Sequence, residues 1–245
     1  MFNYYAMSRM GPNRTFNEDD VDVFIHEQVL FMIVADGQGS DASGQSAGKI
    51  AIDEMKRYLL QEFHAGYESH LEFYFKQSFY IAQRAIEGVR KGNEDRYSGF
   101  CAAVTMVAVT MSKEMIFAHV GNTQCMMWRN GELYVVTEPH TVAYDQYKQQ
   151  KISQAELINH PERRILTQAL GVVSNPTYVI QRGILQKDDM LLLVTDGIGD
   201  LGLSLIREGI FATDNTQSTA EWLIRTSTER IPYDDGSIAI TFLNF

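Results

Sequence analysis

The sequence predicts an α+β fold of antiparallel sheets flanked by helices, and three observations carry that expectation. Strand-like segments come in runs instead of alternating singly with helices, which disfavours βαβ units and a parallel sheet. Two stretches with apolar residues at helical spacing sit together between two such runs. Two apolar runs, residues 29 to 35 and 190 to 195, each stop abruptly at Asp-Gly, as buried strands do when they deliver a carboxylate to a sheet edge.

In chain order, residues 3 to 9 read as a short strand that turns through Gly11-Pro12-Asn13-Arg14. Val21, Val23 and Ile25 alternate with polar neighbours, so 21 to 26 is a half-buried strand pairing with 29 to 35 across Glu27-Gln28. Asp36 is expected at the end of that second strand. Gly37 and Gly39 let the backbone approach an ion or phosphate, and the polar stretch before Ile50 opens a helix facing the same space. Ile52, Met55 and Leu59 mark one helix; Leu71, Phe75, Phe79, Ala82, Ile86 and Val89 mark a second, closed by polar residues 91 to 95. Residues 99 to 111, 114 to 120, 124 to 129 and 133 to 137 read as a four-stranded antiparallel run with short turns such as Asn130-Gly131. Residues 141 to 169 are polar and helical in pieces, 177 to 184 and 189 to 195 are strands, helices lie near 203 to 212 and 216 to 229, and 237 to 244 closes as a strand. No linker, repeat or low-complexity tract interrupts the chain, so residues 1 to 245 read as a single domain.

Bulk properties exclude several functions. With 45% hydrophobic residues the chain can bury a substantial core. A net charge of -10 without a dense Lys/Arg run lacks the electrostatic footprint of nucleic-acid binding. Cys101 and Cys125 both lie in apolar segments and read as buried reduced thiols, which suits the cytoplasm. No secretory leader pattern opens the sequence and no window approaches 18 consecutive apolar residues, so secretion and membrane spanning are disfavoured.

Acidic residues recur where strands begin or end. Glu18 and Asp19 precede strand 21 to 26, Asp36 and Asp196 end apolar runs, and Asp234 and Asp235 precede the last strand. Such carboxylates can converge at one edge of a layered fold, where they would repel one another without cations. Oxygen ligands without His or Cys select hard ions such as Mg²⁺ or Mn²⁺, and a bridging carboxylate holds two of them roughly 3.5–4 Å apart, the spacing that activates water against a phosphoryl group. Taken singly, each is also what a solvated turn looks like.

Arg14-Thr15-Phe16-Asn17-Glu18-Asp19, Val34-Ala35-Asp36-Gly37-Gln38-Gly39, Val120-Gly121-Asn122-Thr123, Leu166-Thr167-Gln168-Ala169-Leu170-Gly171, Leu193-Val194-Thr195-Asp196-Gly197-Ile198-Gly199-Asp200 and Asp234-Asp235-Gly236-Ser237 resemble, in order, the motifs of the metal-dependent protein phosphatases of the protein phosphatase 2C family, compact bacterial members above all. The resemblance spans residues 4 to 243. It implies a four-layer α-β-β-α sandwich, a two-metal site holding Mn²⁺ or Mg²⁺ with a weak third ion, and hydrolysis of phosphoserine and phosphothreonine on proteins by activated water. By the same resemblance Asp36 bridges both ions, the Gly37 carbonyl reaches one, Asp196 and Asp234 complete one shell, Glu18 serves the other, Asp19 orients water and Arg14 holds the substrate phosphate. Asp200 takes the place of an auxiliary ligand, and residues 141 to 165 resemble the flap beside the active site. The enzyme so implied is a cytoplasmic monomer acting on a phosphorylated protein, opposing a serine/threonine kinase, with neither nucleic acid nor membrane as partner.

Three positions depart from the family pattern. Gln38 stands where eukaryotic relatives carry a histidine proposed as general acid; Asn122 and Gln124 replace the acid and base of the Gly-Asp-Ser-Arg motif; Asp235 replaces a common asparagine. Three rival readings accompany the assignment. Gly44-Gln45-Ser46-Ala47-Gly48 matches the nucleophile elbow of serine hydrolases, although Ser46 lies ten residues beyond Asp36. A pseudophosphatase would scaffold a kinase or phosphoprotein without turnover. A narrower role would be dephosphorylation of an anti-sigma antagonist.

Overall fold

The computed structural model describes residues 2–40, 45–92, 95–97 and 99–243. Two five-stranded antiparallel sheets stack face to face. One runs in the order β1 (Phe2–Arg9), β10 (Gly236–Leu243), β9 (Met190–Val194), β6 (Gln124–Arg129), β7 (Glu132–Val135). The other runs β2 (Asp19–His26), β3 (Val29–Gln38), β4 (Cys101–Val109), β5 (Glu114–Val120), β8 (Val179–Ile184). Helices α1 (Ala47–Glu62) and α2 (Leu71–Arg90) cover the β2-containing sheet; α5 (Asp196–Gly199), α6 (Gly202–Phe211) and α7 (Thr216–Arg230) cover the other. Two short helices, α3 (Val142–Lys148) and α4 (Gln154–Ile158), occupy the flap-like segment.

Three apolar layers explain why the central strands read as unbroken hydrophobic runs instead of alternating ones. On β3, Val29, Phe31, Ile33 and Ala35 face α1 and α2, whereas Leu30, Met32 and Val34 face the opposite sheet. β9 does the same from the other side: Leu191 and Leu193 join the inter-sheet layer, and Met190, Leu192 and Val194 meet α6 and α7. Strands buried on both faces cannot show period-2 polarity. The β2–β3 hairpin turns through Glu27 and Gln28, both at positive φ (48° and 63°), the backbone of a type I′ turn. Cys101 and Cys125 are buried and unpaired, and burial pushes their thiols up to about 11 and about 12. Among the described residues no helix is long and apolar enough to cross a membrane.

Two expectations are corrected. The four strands after α2 do not form one meander: β4 and β5 extend the β2-containing sheet, whereas β6 and β7 join the other. The chain crosses between sheets at Gly121-Asn122-Thr123, and Gly121 permits it, with φ at 102° and its Cα so close to Ala103 that an added Cβ would lie 2.2 Å from the Ala103 Cβ. Strand β3 also continues past Asp36, because Gly37 and Gln38 still pair with Ala102 and Cys101.

Gly121→Ala should therefore destabilise the protein by about 2 kcal/mol or more beyond the cost of forcing alanine into positive φ. Gly131→Ala is the control, since Gly131 has φ at 82° but nothing within 4 Å of an added Cβ. Chemical denaturation of both variants isolates the contact with Ala103; equal losses would refute it.

Candidate active site

The strand ends that carry acidic residues meet at one edge of the stacked sheets. Antiparallel pairing sets Asp19 of β2 directly opposite Asp36 of β3. From the other sheet, β9 ends at Val194 beside the start of β10, where Ile238 is its partner, so Asp196 and Asp234-Asp235 arrive at the same edge. One bond ties the sheets together there, the Thr195 hydroxyl donating to Asp19 Oδ2 at 2.6 Å, and within its own sheet Thr195 Oγ1 accepts from Ser237 N at 3.0 Å.

Crowding shapes the ionisation of these groups. Burial, then the neighbouring carboxylates, pushes Asp19 and Asp36 well above the ordinary range. Burial and Asp234 raise Asp196 to about 6, although Arg164 opposes them. Asp36 and Asp196 stand close enough for each to influence the other's ionisation.

Asp235 carries a role that sequence reasoning missed. It is 1% exposed and accepts from Gly11 N at 2.9 Å, Glu18 N at 2.9 Å and Arg14 Nε at 3.4 Å. It thereby clamps the loop between β1 and β2 to the start of β10 and fixes where Glu18 stands. Its sequence signals, the doubled Asp and its place in the last family motif, did not point to a clamp. Glu18 accepts from Gly39 N at 2.5 Å and from Arg14 Nη2 at 2.7 Å. The Arg14 guanidinium, expected to face a phosphate, is turned to Glu18 and Asp235, with its side chain 34% exposed. Gly37 is required by close approach: an added Cβ would lie 2.5 Å from Gly48 N and 2.6 Å from the Glu18 carbonyl oxygen.

The flap-like segment supplies two further missed residues, Arg163 and Arg164. Arg163 grips Asp200 with both terminal nitrogens at 2.9 Å. Arg164 pairs with Asp196, Asp200 and Asp234. Burial alone would raise Asp200, but these arginines outweigh it and hold the carboxyl below its ordinary value. In the sequence both arginines looked like solvated residues of a polar stretch.

The donor set suits hard divalent cations. It is all oxygen, and Asn122 Oδ1, at the crossover between the sheets, is buried without a hydrogen-bond partner among the described residues. Asn122 Nδ2 meanwhile donates to Asp196 Oδ2 at 3.2 Å. Among the described residues no three acidic, His or Cys groups are drawn close enough to hold an ion as they stand, and the Arg164 guanidinium lies among the acids.

Comparison with known proteins decides the family, since the sequence profile of protein phosphatase 2C matches residues 12–230. The chain belongs to the protein phosphatase 2C family. This is a family of metal-dependent phosphatases acting on phosphoproteins. Among curated relatives, the protein phosphatase PhpP of Streptococcus pneumoniae is 23% identical over 240 residues, covering 97% of this chain and 96% of its own. The serine/threonine phosphatase of S. agalactiae superposes with a TM-score of 0.87 at 23% identity, covering both chains fully. The catalytic domain of PstP, solved in complex with two manganese ions, superposes at 0.80 with 21% identity over 100% of this chain and 99% of that one. The sandwich expected from the resemblance is the observed fold.

The nucleophile-elbow alternative finds no support. Gly44 lies outside the described residues, and Ser46 is the N-cap of α1, accepting from Lys49 N at 3.1 Å.

Raised carboxyl values make a signed prediction for metal-free protein. Asp196 rises from 3.8 to about 6, so its ionisation costs stability in full above pH 6, and the cost disappears below pH 3.8. Asp196→Asn should therefore be more stable than wild type at pH 7, by up to about 3 kcal/mol for a shift of this size, and the gap should close as pH falls from 6 towards 4. Denaturant titrations in chelator at both pH values measure it; a gap that widens on acidification refutes the assignment.

Proposed function

We propose that this protein is a metal-dependent serine/threonine protein phosphatase whose reaction centre is the carboxylate edge. The convergence of Glu18, Asp19, Asp36, Asp196 and Asp234 from both sheets onto one all-oxygen site carries the reading, with family membership behind it. In this reading residues 1–245 act as one catalytic domain, monomeric and cytoplasmic, on phosphoproteins modified by a serine/threonine kinase.

The groups that would hold two ions, Mn²⁺ or Mg²⁺, are Asp36 between them, Asp196 and Asp234 on one side, and Glu18 with the Gly37 carbonyl on the other; Asp200 with Asn122 would offer a weaker third place. When bound, the cations supply Lewis acidity that acidifies a water molecule and neutralises phosphoryl charge. The chain's own groups do the rest. Asp19, fixed by the Thr195 hydroxyl, orients the water and takes up its proton. Asp235 sets the position of Glu18 through the Glu18 amide. Arg14 sits beside Glu18 with its guanidinium partly exposed, where an incoming phosphate can exchange with its carboxylate partners and be gripped by the planar fork. Gln38 carries no titratable proton, so the leaving alkoxide takes its proton from water or from another residue.

A pseudophosphatase is not favoured, because Glu18, Asp36, Asp196 and Asp234 all retain their carboxylates. Hydrolysis of a phosphothreonine peptide should require added Mn²⁺ or Mg²⁺ and stop with a chelator. Asp36→Asn should lower kcat/KM by about 10²–10³-fold or more, the scale of losing one charge-stabilising group, whereas Ser46→Ala should stay within about threefold, roughly 0.6 kcal/mol of barrier. Full turnover after exhaustive chelation, or an essential Ser46 with a dispensable Asp36, would overturn the assignment.

A further inference from the structure

Arg164 stands where the reading above puts a metal ion. Its Nε lies 3.6 Å from Asp196 Oδ2, and its terminal nitrogens pair with Asp200 and Asp234. Asp200 is already held by both nitrogens of Arg163, so its charge is met without Arg164. Asp196 and Asp234 make no other ion pair among the described residues. These are the two carboxylates assigned together to one ion shell. A guanidinium and a divalent cation would use the same oxygen lone pairs and repel each other at contact, so the two occupancies exclude one another.

The segment that presents Arg164 is held by little else. Helix α4 has no buried residue and α3 buries only Ala143. Ile158 and Ile165 are 66% and 51% exposed. A cavity of about 500 Å³, lined by Asn122, Thr141, Leu157, Arg163 and Asp196 among others, lies between the segment and the core. At its base the segment is closed by backbone bonds from Val142 N to the Ile165 oxygen and from Thr167 N to the His140 oxygen. Beyond that base, docking rests chiefly on the ion pairs of Arg163 and Arg164, with Arg164 also 6.0 Å over the Tyr233 ring, and the cavity gives room beside it for the arginine side chain to leave.

We propose that Arg164 is a built-in counter-cation that latches residues 141 to 165 onto the reaction centre in metal-free protein, and that metal loading at Asp196 and Asp234 ejects it and unlatches the segment. The coupling is reciprocal by thermodynamic necessity: whatever the ion does to segment docking, docking does to ion affinity. Metal-free enzyme is thus closed over its own carboxylates, and loading opens the approach to the substrate. Arg163 on Asp200 is untouched by the exchange and keeps the segment tethered nearby.

Calorimetric Mn²⁺ titration and hydrogen exchange, both independent of turnover, test this. Arg164→Gln should bind Mn²⁺ about fivefold more tightly or better, the factor that 1 kcal/mol of lost competition represents. Arg164→Lys, a point charge that cannot span three carboxylates, should fall between it and wild type. In wild type, amides of 142 to 158 should exchange faster once Mn²⁺ is added; in Arg164→Gln they should exchange fast with or without it. The wild-type comparison needs no variant to fold. Unchanged or weaker Mn²⁺ affinity in Arg164→Gln, or a wild-type segment that becomes more protected on loading, overturns the latch and leaves the phosphatase reading standing. Absence of Mn²⁺ binding in all three proteins overturns both.

Discussion

Glu18, Asp19, Asp36, Asp196, Asp234 and Asp235 would repel one another wherever they met, and the protein gathers them at one end of its paired sheets all the same. Three devices keep the fold from opening there. Asp235 is saturated by donors, two of them backbone amides. Asp19, Asp36 and Asp196 have their ionisation displaced upward by burial and by neighbouring carboxylates, which makes charge at these positions costly. Arg163 and Arg164 bring positive charge from the flap-like segment. Each device leaves a different group free to respond to cations, which is how a site can be both strained without its ligand and stable enough to wait for it.

The architecture follows from the same demand. Bringing acids from two sheets to one edge requires the sheets to stack closely, which requires strands apolar on both faces, which requires helices on the outside to cover them. Leu30 and Phe31 are adjacent in sequence and both wholly buried, yet they belong to different apolar layers. The Asp-Gly breaks after residues 35 and 195 then act as terminators: apolar material stops at the place where polar chemistry starts.

Much of this was legible in the residues. The long helices, the β2–β3 hairpin and the order of the strands could be read because periodicity and turn chemistry are local properties. The sheet switch at Gly121 was not legible, since one glycine in a short turn does not say which sheet the next strand joins; that depends on contact with Ala103, 18 positions earlier in the chain. The acidic positions were readable through their placement at strand ends, and the family motifs sharpened them. Asp235 was hidden because a doubled Asp looks redundant, and its partners, Gly11 and Glu18, lie more than 200 positions away. Arg163 and Arg164 were hidden for a related reason. A charged pair in a polar stretch has the composition of a solvated loop, and only tertiary placement turns it towards the acids.

One consequence lies in the inter-sheet layer itself. Met32, Val34, Leu191 and Leu193 are wholly buried between the sheets, and nothing about them is chemical. Because Asp19 and Asp36 ride on one sheet while Asp196 and Asp234 ride on the other, the thickness of that layer is the gauge that sets the gap between the two halves of the reaction centre. These side chains work as shims: a methylene more or less between the sheets changes the spacing of oxygens that none of them touches. Drift in catalytic rate among related chains can thus begin in the dullest part of the core, where no comparison of active-site residues would look for it.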